Sequence, residues 1–245
     1  MPEEISPATV ELSELGRLSG IFFSPAKTLQ TIARRPSFLL PLVILTLLSL
    51  GVTWWLGYRV GWERIIRTQM EQSERFQQMS AEQREQAVGQ VMRFATVQAY
   101  AAGLLSPVLT ALIVSGVFLF VFNVLAGNEL EFRRAFPVVV WGMMPYALVS
   151  LLALVIIGLK PAEDVDVQNL VASNLGVLFD PDRTGKPLLS LMRSIDLFTI
   201  WVLLLLSTGF AAAARKLTFQ KALGWVMLTW LVWVVVKVGF HAIFS

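Results

Sequence analysis

The first long uncharged stretch of the sequence covers residues 38–58 and reads FLLPLVILTLLSLGVTWWLGY. An α-helix rises about 1.5 Å per residue, so about 20 apolar residues are enough to cross the hydrocarbon layer of a membrane. Inside that layer the backbone N–H and C=O groups must be satisfied within the segment itself, as they are in a helix. This stretch therefore predicts a transmembrane helix.

Four further apolar stretches have the same character, and Lys237 is the one formal charge within them. They cover residues 103–126, 137–159, 197–214 and 222–244. The 245-residue chain is 56% hydrophobic and only 15% charged, whereas soluble domains carry about 25% charged residues. The sequence thus predicts an all-α integral membrane protein with five transmembrane helices.

Basic residues near the spans predict the orientation, because Lys and Arg favour the cytoplasmic side of a membrane. The pairs Arg133-Arg134 and Arg215-Lys216 both fall in connections that share a side with the N-terminus. We expect a cytoplasmic N-terminus and a C-terminus on the opposite side. The predicted parts are a cytoplasmic tail, residues 1–36, and a five-helix membrane domain, residues 37–245.

A short amphipathic helix is predicted in the tail, over residues 25–34. Ser24-Pro25 is typical of an N-cap followed by proline at the first helical position. Leu29 and Ile32 share one face, and basic residues flank it. We expect this helix to lie in the cytoplasmic membrane interface, attracted to anionic headgroups; a plain soluble helix is the alternative.

The connection between the first two spans is predicted to form an extramembrane helical hairpin. One arm would continue the first span, and the other would lead into the second. Ser80 and Gln83 have the spacing of a capping box, and apolar residues recur after it with helical periodicity. Its charged faces are either solvated or a docking surface for a partner.

The residues needed for catalysis are missing from the sequence. There is no cysteine, His241 is the single histidine, and no carboxylate lies within a predicted span. A cysteine nucleophile, a multi-histidine metal site and an intramembrane pair of aspartates are therefore excluded within one chain. The acidic segment between residues 160 and 194 lacks the register of an EF-hand. We expect a non-enzymatic protein with no catalytic residues, cofactor or metal.

Transport is the alternative that the spans leave open. Polar side chains and broken helices within a membrane often mark a substrate pathway, and Asn123, Lys237 and Pro145 have these properties. Pro145 should kink the third span, since it frees the carbonyl group of Trp141. The same residues can also serve only to pack neighbouring helices together.

Asp196 and Lys237 are the best candidates for a charge pair. If the fifth helix runs outward from Ala222, Lys237 lies about 22 Å along it, which places it near the outer boundary of the hydrocarbon layer. Asp196 opens the fourth span at the same boundary. Alternatively, Asp196 caps its own helix and Lys237 extends to lipid headgroups.

Small residues at four-residue spacing predict close approach between helices. The pattern occurs at Gly57 and Gly61, at Ala111 and Ser115, and at Gly209 with Ala213. These pairs favour a compact bundle and are compatible with a homo-oligomer.

Several short motifs, taken in order, resemble the bacterial branch of the Yip family, the Ypt/Rab-interacting polytopic membrane proteins. They are Phe23-Ser24-Pro25-Ala26-Lys27-Thr28-Leu29 with Ile32, Pro36 and Pro41-Leu42; Gly127-Asn128 and Phe132-Arg133-Arg134-Ala135-Phe136 with Pro145; and Asp196-Leu197-Phe198-Thr199-Ile200-Trp201 with Gly209. The resemblance covers roughly residues 17 to 240.

The resemblance implies a membrane domain with a cytoplasmic N-terminus, and eukaryotic relatives are adaptors that recruit small GTPases and other proteins. We expect a scaffold or adaptor of a bacterial inner-membrane complex, for instance in transport or the envelope. The expected partners are anionic lipid headgroups and a membrane protein, with no nucleic acid. A subunit of a transporter or small-molecule channel that uses the kinked third helix is the alternative function.

Overall fold

The chain forms a helical membrane bundle in the computed structural model. The structure describes residues 13–71, 73–167, 169–180, 183–214 and 216–243, and within them no β-strand occurs. The α-helices are α1 (Glu14–Phe23), α2 (Pro25–Arg34), α3 (Leu39–Arg59), α4 (Trp62–Glu71), α5 (Glu74–Gln77), α6 (Ala81–Phe120), α7 (Phe132–Gly142), α8 (Pro145–Leu159), α9 (Lys186–Ser194), α10 (Leu197–Ala213) and α11 (Phe219–Ile243). A π-helical turn, Val121–Leu125, extends α6.

Four helical segments are long and apolar enough to cross a membrane, which makes the chain an integral membrane protein. They are Leu39–Arg59, Ala81–Leu125, Phe132–Leu159 and Phe219–Phe240. The predicted fourth span is α10, which is apolar but only 17 residues long. The predicted end of the last span at Phe244 lies outside the described residues. The count of five spans and the orientation remain proposals.

The helices alternate in direction, so the bundle has two distinct ends. α3 starts next to α2, and its last residue, Arg59, donates hydrogen bonds to the carbonyl groups of Gly158 and Lys160, where α8 ends. We call the end at which α3 begins the α2 end, and the end at which α3 and α8 finish the α9 end. The connection at residues 126–131 lies at the α2 end, and the 160–196 segment lies at the α9 end.

α10 forms the centre of the bundle, where α2, α7, α8 and α11 all pack against it. One apolar core joins these helices to α6, and aromatic rings fill part of it: the ring of Phe210 lies 4.8 Å from that of Phe118 and 4.9 Å from that of Phe122. Trp141 and Phe210 are fully buried. The face of α10 that meets no other helix is apolar as well, as at Leu204, which is 44% exposed. α10 therefore shows no amphipathic pattern.

The predicted helix over residues 25–34 is present, but its apolar face is covered by protein and not by lipid. Its position in the membrane interface stays a prediction. Leu29 and Ile32 are both 0% exposed within the protein, because α2 packs against α7 and α10. The basic flank at Lys27 and Arg34 remains exposed. An apolar helix face can lie on a membrane surface or pack into a groove between two helices. In this structure α2 packs into the groove between α7 and α10.

The predicted helical hairpin is also present, with one change. α3 ends at Arg59, and Gly61, with φ at +86°, turns the chain into α4 instead of continuing the first span. α4 packs against α6, and Arg67 joins the two by donating to the carboxylate of Glu85 at 2.9 Å. Arg67 also donates to Glu63 within α4 at 3.1 Å. The hydrogen bond from this guanidinium lowers the pKa of the Glu85 carboxyl. The capping box of Ser80 and Gln83 is formed as the sequence predicts.

The third span is divided where the sequence predicts a kink. α7 begins earlier than expected, at Phe132, and ends at Gly142, and Pro145 starts α8. The freed carbonyl group of Trp141 accepts a hydrogen bond from the N–H of Met144 at 3.1 Å. The break therefore satisfies its own backbone groups, as a proline break within hydrocarbon must.

Candidate functional site

At the α2 end, a buried arginine holds the two N-terminal helices to the bundle. The Arg17 guanidinium donates to the carboxylate of Glu14 (3.0 Å), the carbonyl group of Arg35 (3.3 Å) and the hydroxyl of Ser37 (2.5 Å). The Ser37 carbonyl in turn accepts from the indole N–H of Trp141 at 2.8 Å. α1 and α2 are thus tied to α7 by a chain of polar contacts.

Ser24 and Pro25 shape the corner between α1 and α2. Ser24 occupies the N-cap position and Pro25 the first helical position, as the sequence predicts. The cap works through the backbone: the Ser24 carbonyl accepts from both the N–H (3.1 Å) and the hydroxyl (3.0 Å) of Thr28.

Asn123 holds the connection after the second span. Its side-chain N–H₂ donates to the Leu130 carbonyl (2.9 Å), and its oxygen accepts from the Leu130 N–H (2.7 Å). The chain between them turns at Gly127, with φ at +61°. Asn123 therefore closes a loop at the α2 end, using both of its polar groups for that contact.

The basic pair differs in its surroundings. Arg133 is exposed, whereas Arg134 is half-buried and lies 4.0 Å from the carboxylate of Glu131. Arg134 also lines a polar cleft of about 440 Å³ with Asn123 and the 128–131 loop. The cleft opens at the end of the bundle for which the sequence predicts a cytoplasmic position.

At the α9 end, Asp196 binds the preceding segment to α10. One carboxylate oxygen accepts from the N–H of Thr199 at 2.8 Å, which is an N-cap, and the other accepts from the hydroxyl of Ser173. Backbone hydrogen bonds from Leu175 to Ile195 (3.0 Å) and from Leu197 to Ser173 (3.1 Å) extend the contact. The contact with Thr199 is the one expected if Asp196 caps its own helix.

Lys237 lines a cavity of about 560 Å³ between α6, α10 and α11. Arg193, at the last turn of α9, lines the same cavity, together with Tyr146 and Thr199. Asp196 lines a different one, next to Ser173. The structure thus brings Lys237 together with a second cation, and the pairing of Lys237 with Asp196 stays a prediction.

An exposed apolar stripe runs along the part of α6 nearest the α9 end. It consists of Phe94 (74% exposed), Val97 (71%), Ala101 and Leu104 (48%). The spacing of three, four and three residues keeps these positions on one face of the helix. We call this set the α6 stripe.

Arg17, α9 and the α6 stripe are the features that sequence reasoning missed. Arg17 carries a weak signal, since Ser13 precedes α1 as an N-cap and the arginine follows four residues later. The stripe was hidden because it merges with the apolar second span. No group of three or more His, Asp or Glu side chains able to hold a metal occurs within the described residues.

The fold defines the class first: a helical, multi-span integral membrane protein whose N-terminal helices pack into the bundle. The model of the Yip1 domain matches residues 19–240, nearly the whole chain. The chain therefore belongs to the Yip1 family, a family of membrane proteins related to membrane trafficking. No curated protein and no solved structure gave a significant match.

Proposed function

We propose that this protein is a non-enzymatic membrane scaffold or adaptor that supports the assembly of a membrane complex. It spans the bacterial inner membrane five times, with its N-terminus in the cytoplasm. It binds a protein partner through the α6 stripe, outside the hydrocarbon layer. The exposure of Phe94 and Val97 is the observation that carries this proposal.

The position of the stripe distinguishes a docking surface from an ordinary lipid-facing surface. The second membrane segment ends at Leu125, just before the turn at Gly127. About 20 residues cross the hydrocarbon, so the apolar layer begins near residue 105 of α6. Phe94 lies eleven residues earlier, about 16 Å further out at about 1.5 Å per residue. Lipid tails do not cover a side chain at that height.

The geometry of the stripe favours a helix as the bound element. Spacing of three and four residues presents a straight seam of the kind that pairs with another helix. The exposed polar side chains of Arg93 and Gln98 flank it, and interfaces commonly have an apolar centre with a polar rim. The stripe also runs without a break into the membrane-spanning part of α6, so a helix that leaves the bilayer beside α6 fits it best. We therefore propose a membrane-protein partner.

Charges placed on the stripe should abolish partner capture. We expect Phe94→Asp combined with Val97→Asp to remove the crosslinked product that the wild-type protein forms in native membranes, because a buried unpaired carboxylate is strongly destabilising at an interface. The measurement is photocrosslinking from position 101, followed by mass spectrometry of the product.

Leu178→Asp is the matched control, since Leu178 is 76% exposed on the 175–178 turn at the same end of the bundle. It should leave the product unchanged. A product that contains only a second copy of this chain would assign the stripe to a homo-oligomer instead. An undiminished product in the double variant would contradict the proposal.

A transporter or channel subunit is the second candidate, and one observation favours it: Met143 and Tyr146, on either side of the break in the third span, line the cavity beside α10. Its lining is mainly apolar, which suits a lipid chain better than water or an ion. Solute flux into proteoliposomes that changes in a Pro145→Ala variant would favour this candidate over the scaffold.

A further inference from the structure

The cavity between α6, α10 and α11 lies within the apolar part of the bundle. Its lining runs from Thr110 to Phe118 on α6 and from Thr229 to Lys237 on α11, a rise of about 12 Å along each helix. Its volume of about 560 Å³ is within the range of small-molecule sites, about 300–1,000 Å³. It therefore has the size of a real binding site rather than a packing defect.

The two ends of this cavity differ in chemistry. Phe118, Leu206 and Trp230 line the end toward the middle of the bundle, and the surface there is apolar. Arg193 and Lys237 line the end toward α9, and no carboxylate belongs to the described lining residues. An apolar chamber with cations at one end is complementary to an amphiphile with an anionic head.

Arg193 is held in place without having all its hydrogen bonds satisfied. Its side chain packs against the 175–178 turn so closely that a Cβ on Gly176 would lie 2.5 Å from the Arg193 Cγ. Its buried Nε has no hydrogen-bond partner within the described residues. An unpaired buried donor is destabilising, and a phosphate oxygen is the acceptor that the guanidinium fits best.

We propose that the cavity binds an anionic phospholipid of the surrounding bilayer. One acyl chain enters between α6 and α11 and lies against Val114 and Trp230. The phosphate is bound by Arg193 and Lys237 near the membrane boundary. Lipid is the occupant that the surroundings supply, because the cavity is open on the side of Ile113, a lining residue of the second span that is 65% exposed.

The headgroup arm of the test compares two lipids with identical acyl chains. Phosphatidylglycerol and phosphatidylcholine are added separately to the purified full chain in detergent, and binding is measured by native mass spectrometry. We expect phosphatidylglycerol to bind about tenfold more tightly, because both lipids present the same phosphodiester and phosphatidylcholine adds a cationic group that Arg193 and Lys237 repel. Arg193→Gln should remove this preference. Lys186→Gln, a change of the same charge on an exposed residue of α9, should retain it.

The chain arm fills the apolar end. Val114→Trp should abolish the binding of both lipids, whereas Leu112→Trp, on an exposed face of α6 outside the cavity, should not. Equal binding of the two lipids by the wild-type chain would overturn the proposal, as would an unchanged preference in Arg193→Gln. If Val114→Trp does not give monodisperse protein, the headgroup arm decides alone.

Discussion

Replacing Gly209 with valine is expected to separate α2 and α7 from α10 and to destabilise the whole bundle. A Cβ at this position would lie 2.4 Å from Cγ1 of Val138 and 3.3 Å from Cδ2 of Leu29. Both neighbours are fully buried, so neither can move aside without displacing its helix. Overpacking of this kind destabilises a protein by about 1–3 kcal/mol. We expect Gly209→Val to lose more stability than Gly209→Ala, because valine adds two further methyl groups. The measurement is the midpoint of thermal unfolding in detergent.

Gly224→Ala provides the matched control, because a Cβ on this α11 glycine meets nothing within 4 Å. Its midpoint should equal that of the wild type or rise slightly, since alanine favours the helix. When Val138→Ala is added to the Gly209→Ala variant, part of the lost stability should return, because this change removes the clashing methyl group. A Gly209→Val protein that unfolds at the wild-type temperature would show that α10 does not pack as described.

Trp141→Ala is expected to have the largest effect of any single truncation. The side chain is completely buried and its indole N–H donates to the Ser37 carbonyl. Its removal leaves a large cavity, which costs about 3–5 kcal/mol for an aromatic residue, and also leaves the carbonyl unpaired. Trp141→Phe keeps most of the volume and should lose only about 1 kcal/mol, the net value of the hydrogen bond.

The control for Trp141 is Trp54→Ala, which removes a tryptophan that is 55% exposed on α3. Its unfolding midpoint should change little. The Trp141→Ala variant also tests how the N-terminal helices are held, because hydrogen bonds connect Arg17 through Ser37 to Trp141. Limited proteolysis should cut between α1 and α3 sooner in Trp141→Ala than in the wild type. Equal proteolysis rates would mean that the N-terminal helices do not depend on α7.

Local chemistry made several features of this fold predictable from sequence. Uncharged length identified the four long membrane helices, Pro145 identified the break in the third span, and Ser80 with Gln83 identified the start of α6. In each case the cause is a property of the residue itself: hydrophobicity, a missing N–H, or a side chain that reaches its own backbone. Such properties act in the same way in any tertiary context.

Features that depend on a distant neighbour were not predictable. Leu29 and Ile32 form an apolar face that either lipid or protein could cover. The groove between α7 and α10, which forms only in the tertiary structure, determines that protein covers it. Gly209 was recognised as a close-approach residue, but its neighbours in α2 and α7 were not. The two cations of the cavity lie 44 residues apart in sequence, at Arg193 and Lys237, and only the packing of α9 against α11 brings them together.

The five-span proposal depends on α10 crossing the membrane, which places the segment before α10 and the connection after it on opposite sides. The chain contains no cysteine, so an introduced cysteine is the one thiol of the chain that a maleimide can label. Lys186→Cys and Lys216→Cys are exposed positions that flank α10. In intact cells with a permeable outer membrane, a membrane-impermeant maleimide should label position 186 and should label position 216 only after lysis. Labelling of both positions before lysis, or of neither, would contradict the five-span account.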